Sequence, residues 1–362
     1  MEHKESLDLQ PTSGIPYSDK VVRVSVIDNG ARLDMPSSCF HQPGYKGAER
    51  LNVPSFCFLI ENESGQKILF DLGIRKDWQG LPPVALEMFK KHDFSFDTKE
   101  DTSTTLKRNG IDVSSGAIST VIWSHQHFDH VGDISKFPSD TKLVVGKNFK
   151  KHNFPGYPHG TKSTLYHHDF EKREVQELVF PPGCMKIGRF AACDYFGDGS
   201  FYLLDTPGHT SSHISALART DASPPSFVLL AGDVCHHAGE IRPTERLPLP
   251  ESIEPSPIPE ISYPVCPGYW FRSIHPHQSR TAPFYSLAET FNDDSKVAAS
   301  SVTGVQALDC EPNILTLIGH DSTLLGEIPF FPKSLEGWAD TDIKKRLTWK
   351  FLADFRQGLQ HP

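Results

Sequence analysis

Ser124-His-Gln-His-Phe-Asp-His-Val-Gly-Asp133 follows directly on the β-branched run Thr120-Val-Ile-Trp123 and carries four metal-capable side chains within six positions. Imidazole nitrogen and carboxylate oxygen are the borderline donors that zinc-type ions take when several are aimed at one point. His125 and His127 alternate along the end of an extended segment, so both rings leave on the same side. The chain must then turn, which directs Asp129 and His130 at a neighbouring position. One short loop thereby offers two ligands to each of two ions.

A four-ligand loop is not a complete site, and the rest of the chain is read for the missing donors. His209 stands in Leu204-Asp-Thr-Pro-Gly-His-Thr210, Asp233 in Leu229-Leu-Ala-Gly-Asp233 and His320 in Leu317-Ile-Gly-His-Asp321. Taken singly, His209 and His320 read as ordinary loop histidines, and Asp233 as a helix cap after its glycine. Three repetitions of apolar strand, glycine and ligand-type residue reverse that reading. Glycine permits a tight turn and close backbone approach, and a strand end is a rigid mount.

Outward from the ligands, strands are predicted at 21–27, 55–60, 67–70, 142–145, 189–192, 201–204, 213–217, 227–230 and 314–318, beside 120–123. Helical spacing covers 83–91 and 102–109, with Gly110 as a stop. Many strands and few helices predict an α+β fold, an αββα sandwich of two mixed sheets covered by helices. Residues 1–19 read as a polar leader, 20–345 as one domain and 346–362 as a C-terminal tail. Within the domain, 241–269 holds eight prolines. They forbid a regular element there and mark an insertion, of the kind that serves as a lid, binding loop or dimer contact.

The 362 residues are 38% hydrophobic and 22% charged, with a net charge of -9, which suits a soluble globular protein. That field disfavours nucleic acid and anionic membranes as partners. No run reaches the ~20 apolar residues of a membrane span, and the N-terminus lacks the apolar core of a secretory signal. Seven scattered cysteines without a CxxC pair predict reduced thiols and a cytoplasmic protein, with Cys57 and Cys193 buried.

The loop His125–His130 resembles the HxHxDH loop of the metallo-β-lactamase superfamily. The resemblance extends through His209, Asp233 and His320, and Asp71-Leu-Gly73 is similar to that family's DxG turn beneath the metals. It implies a first ion on His125, His127 and His209, and a second on Asp129, His130 and His320, with Asp233 bridging. Two zinc ions are the implied cofactors, although iron or manganese also accepts such a donor set. They would share a bridging hydroxide as nucleophile, with Asp129 passing the proton to the leaving group.

Within the superfamily, Thr206-Pro-Gly-His-Thr210, Ser211-Ser-His213 and Gly319-His-Asp321 resemble the quorum-quenching lactonases. The added length and the Gly232-Asp-Val-Cys-His-His237 run resemble fungal members tied to detoxification or secondary metabolism. Those lactonases place a Tyr three residues after the bridging Asp; His236 stands there in this chain, as a candidate catalytic contact or a solvent-exposed loop residue beside His237. The implied substrate is a small cyclic ester or amide. A carrier- or CoA-type thioester is the alternative, and a non-catalytic metal-stabilised binding protein the reading of another class. Val131-Gly132-Asp133 departs from the Gly-Gly of glyoxalase II-like enzymes, and His127 from the Glu of flavodiiron proteins. A homodimer is left open.

Other residues carry weaker signals. Asp71 reads as a carboxylate that orients the metal loop. Trp78, Met88, Phe94 and Phe96 read as core or as a pocket mouth, Cys235 as packing, and His167, His168, His275 and His277 as unconnected with the site.

Overall fold

A computed structural model describes residues 14–258 and 265–359. The polar leader up to residue 13, the middle of the proline-rich segment at 259–264 and residues 360–362 lie outside the described residues. Two six-stranded sheets dominate the structure. The first consists of β1 (Val22–Ile27), β2 (Cys57–Asn62), β3 (Lys67–Phe70), β4 (Thr120–Ile122), β5 (Lys142–Val145) and β6 (Val175–Glu177), in that spatial order. It is antiparallel as far as β3 and parallel from there on. The second consists of β7 (Lys186–Ile187), β8 (Phe190–Asp194), β9 (Phe201–Asp205), β10 (Ile214–Ala222), β11 (Pro225–Leu230) and β12 (Ile314–Leu317). It is antiparallel until β12 joins parallel to β11.

The strand period of two divides the apolar residues between two layers. Phe58, Ile60, Ile68, Phe70, Ile122 and Val144 face Leu203, Ala216, Val228 and Leu230 across the sandwich. Their neighbours Cys57, Leu59, Leu69, Val121 and Val145 point outward, under a cover that includes Leu106, Val131 and Phe149. On the other sheet, Tyr202, Leu204, Leu217 and Leu229 point outward beneath Val302, Val305 and Leu308 of the helix Ser295–Asp309. Both faces of each sheet are covered, so the strands read as nearly continuous apolar runs. The αββα sandwich expected from the sequence is the observed fold.

Three features depart from the sequence reading. A three-stranded sheet of Arg32–Pro36, Arg50–Pro54 and Ser95–Asp97 stands apart from the sandwich. With the helix Pro83–Lys91 it builds a cluster holding Met35, Phe40, Phe89 and Phe128. The proline-rich segment is not devoid of regular structure: Ser252–Ile253 pairs with Cys266–Pro267, and a helix runs from Gly268 to Ile274. Pro267 is that helix's N-cap, where a missing N–H costs little. Leu249, Ile253, Ile258 and Cys266 pack with Phe351, Leu352 and Phe355 in a core of their own. The segment assigned to a C-terminal tail therefore supplies buried residues, several of them in the 3-10 turns Lys350–Gly358.

All seven cysteines are free, with Cys57 buried as expected but Cys193 only half-buried. Among the described residues no helix is long and apolar enough to cross a membrane.

Candidate metal centre

The seven sequence-predicted ligands converge at one edge of the sandwich. His125 and His127 leave β4, and the single turn Phe128–Val131 brings Asp129 and His130 round. His209 comes from the loop after β9, Asp233 from the end of β11 and His320 from the end of β12. Their donor atoms form two groups, each lying within 4.8 Å: His125, His127 and His209, and Asp129, His130, Asp233 and His320. Asp233 Oδ2 lies 3.9 Å from His125, 3.8 Å from His209 and 3.3 Å from His320, while its Oδ1 lies 3.1 Å from His130. That carboxylate is the point both groups share.

Glycine at 232 and 319 is a requirement of space as much as of turning. A β-carbon on Gly319 would stand 2.9 Å from Asp233 Oδ1 and 3.0 Å from the His130 ring. Gly232 has a φ of +57°, and a β-carbon there would meet His213 Nε2 at 2.8 Å. Any side chain at either place would push the donors apart.

Hydrogen bonds on the far sides of the rings fix their orientation. Asp71, turned by a φ of +60°, accepts from the Ser124 N–H and hydroxyl at 2.6 and 2.8 Å and holds His130 Nδ1 at 2.8 Å. His320 Nδ1 lies 2.9 Å from the Pro54 carbonyl oxygen. Since a carbonyl only accepts and Asp71 is a carboxylate, both rings donate from Nδ1 and turn Nε2 toward the cluster. Those two Nε2 atoms face each other at 3.3 Å. His127 Nδ1 and His209 Nε2 meet at 2.9 Å, and buried His125 Nε2 has no hydrogen-bond partner. Converging ring nitrogens beside carboxylates are a donor set that cations complete.

The electrostatics agree. Burial disfavours a charged imidazole and holds His125 and His209 well below the usual range. At His130 and His320 burial acts in the same sense, but the carboxylates of Asp233 and Asp129 outweigh it. His130 is pushed well above its usual range and His320 up to about 10. The centre of the cluster demands positive charge, and the residues present fit a pair of divalent cations.

Four contributors were not legible from the sequence, or were left open. His236 and His237 are buried, which excludes the solvent-exposed alternative and keeps His236 as a candidate catalytic contact. His236 Nε2 lies 3.3 Å from Asp233 Oδ2, and its ring belongs with His209 and Asp233 to a third group of potential donors. His237 caps a 3-10 turn in a capping box with Glu240. Glu240 Oε1 accepts the backbone N–H of both histidines at 3.0 and 3.1 Å, which fixes the loop carrying His236. His213, pushed down to about 3 by burial, accepts the Asp233 N–H at 2.9 Å and so positions the shared carboxylate. The spacing His237-x-x-Glu240 was the available signal for the cap; nothing local marked His213.

The cavity above the donors is lined on its other side by Met35, Phe40, Met88, Phe94, Phe128 and Phe291. Of the four aromatic-region candidates, Met88 and Phe94 line it, whereas Trp78 and Phe96 pack behind, 4.6 Å apart between ring centres. Among the described residues, none of 241–269 lines this cavity. Buried Cys235, its thiol pushed well up by burial, is packing. His275 bonds the carbonyls of Ala282 and Pro283 and stands apart from the cluster.

A family model described as the metallo-beta-lactamase superfamily matches residues 51–234. The chain is 40% identical over 359 residues to gamma-lactamase FDB1 of Fusarium pseudograminearum (strain CS3096), covering 97% of this chain and 86% of that protein. It is also 40% identical to metallo-hydrolase mfmC of Annulohypoxylon moriforme, over 97% of this chain and 92% of the relative. Among solved structures, a B. thuringiensis AiiA mutant with N-decanoyl-L-homoserine bound at its active site superposes with a TM-score of 0.53. That match is 19% identical and covers 88% of this chain and all of the other; it speaks for the fold.

Proposed function

The chain belongs to the metallo-β-lactamase superfamily, and within it we propose a hydrolase that opens a small cyclic amide or ester. The observation that carries this reading is the single carboxylate, Asp233, within 4 Å of imidazoles from both donor groups. His125, His127 and His209 would hold one ion, and Asp129, His130 and His320 the other, with the Asp233 carboxylate within reach of both groups. We assign two zinc-type ions, in a cytoplasmic enzyme of detoxification or secondary metabolism. Such a pair would polarise a carbonyl oxygen and lower the pKa of water to about 7.

The chain's own residues do the rest. Water adds to the carbonyl carbon, the ring C–N or C–O bond breaks, and the water proton must reach the departing nitrogen or oxygen. Asp129 lines the cavity and its Oδ2 is the carrier of that proton. His236 lines the same cavity and donates a hydrogen bond to the substrate carbonyl, the task a tyrosine performs in the lactonases the chain resembles. The gamma-lactamase relative supports an amide ring as the first substrate to try. Protein loaded with zinc or manganese is to be assayed against lactams, lactones and thioesters. Turnover of a lactam or lactone that a chelator abolishes is expected; far faster thioester cleavage would overturn the assignment.

A further inference from the structure

The donor cavity is much too small for a substrate. About 30 Å³ is free within it, room for a water or two, whereas small-molecule sites usually offer about 300–1,000 Å³. Three phenylalanines occupy the missing space. The Phe291 ring lies 5.6 Å from Phe40 and 5.3 Å from Phe94, and Phe40 in turn lies 4.5 Å from the His236 ring.

Phe291 is held there against its backbone preference. Its φ is +58°, a conformation that a phenylalanine adopts only where its surroundings impose it. Both flanks are pinned to the site itself. On one side the Ala288 N–H donates to the Phe40 carbonyl at 2.8 Å. On the other, the Asp293 and Asp294 N–H groups donate to the His209 and Gly208 carbonyls, both at 3.1 Å, and Asp293 accepts from the Ser211 N–H at 2.7 Å. The same loop thus carries a donor histidine and anchors the residue that crowds it.

We infer that Phe291 is a specificity-determining residue, whose ring closes the cavity over the donor cluster and limits the size of the group that reaches it. The inference rests on the metal-hydrolase reading above. Entry of a substrate requires the Phe291 ring to move off Phe40, and long or branched substituents cannot be accommodated while it remains.

The test does not depend on knowing the substrate. Cobalt(II)-loaded protein is titrated with ethanethiol and with octanethiol, each thiolate being read by its charge-transfer absorption. In Phe291→Ala the affinity ratio of long to short thiol is expected to rise at least tenfold, with ethanethiol binding within threefold of wild type. Phe291→Leu, which keeps the apolar packing, is expected to shift the ratio by an intermediate amount. The ratio of kcat/KM between an N-acylated lactone and an unsubstituted one should move in the same direction. A ratio within twofold of wild type, in variants whose melting temperature is unchanged, overturns the role of Phe291 and leaves the hydrolase reading intact. Failure to take up cobalt at all overturns both.

Discussion

Arg242 and Asp309 are buried about as deeply as His130 and Asp233, yet the two groups of residues are finished differently. The Arg242 guanidinium makes two bonds of 2.7 Å to the Asp309 carboxylate and a third, of 3.0 Å, to the Thr348 carbonyl. Despite burial, that contact holds Asp309 below its usual range. Every charge there meets its complement within the protein. The histidine–aspartate cluster is buried just as well but closes on itself badly, with imidazole nitrogens turned toward one another and toward carboxylates. A buried polar group without a partner costs about 1–3 kcal/mol, and several lie together here. The first arrangement is a structural joint; the second is a socket.

The contrast can be broken most forcibly at the shared carboxylate. Asp233→Asn is expected to lower kcat/KM on the best ring substrate at least 10³-fold, about 4 kcal/mol, and to reduce bound metal measured by elemental analysis. Both losses are expected together; metal bound at the wild-type level, or kcat/KM within tenfold of wild type, would remove Asp233 from the point the two donor groups share.

At the joint the effect falls on folding instead. Arg242→Met leaves Asp309 buried without a counter-charge and should reduce the unfolding free energy by about 3 kcal/mol, with metal content unchanged. Arg242→Met combined with Asp309→Leu should recover most of that loss. If the single variant sheds its metal before it unfolds, the two clusters are not independent.

Asp169 is an intermediate case and gives the smallest effect. It is buried, one of its oxygens has no hydrogen-bond partner, and burial pushes it up to about 6. Its ionised form is disfavoured in the fold, so stability is lost as pH rises from its ordinary value near 3.8 through about 6, and the penalty persists above that. Asp169→Asn should therefore stabilise by about 1–3 kcal/mol at pH 8 and by little at pH 4. Denaturant melts at both values check this, and equal gains at both would sink it.

The socket was legible in the sequence because its chemistry is local: each donor follows a strand end and, outside the first loop, a glycine. The strands were legible because both faces are covered, which leaves long apolar runs. The wall facing the donors was legible only at Met88 and Phe94. Met35, Phe40 and Phe291 are separated by up to 256 positions (35 to 291) and share no period, so only the fold brings them together. The burial of His236 and His237 was left open for a related reason, since their cover comes from Tyr285 and from Phe351 and Phe355. Prolines misled at 267, where the residue that ends one element is also suited to begin the next.

His237 Nε2 also lies 3.1 Å from the Asp354 carboxylate. The loop presenting His236 is thereby moored to the 3-10 turns Lys350–Gly358. For anyone handling this protein, a boundary drawn ahead of those turns is no neutral convenience: removing residues from 350 onward would unmoor the imidazole beside Asp233 while leaving all seven donors in place.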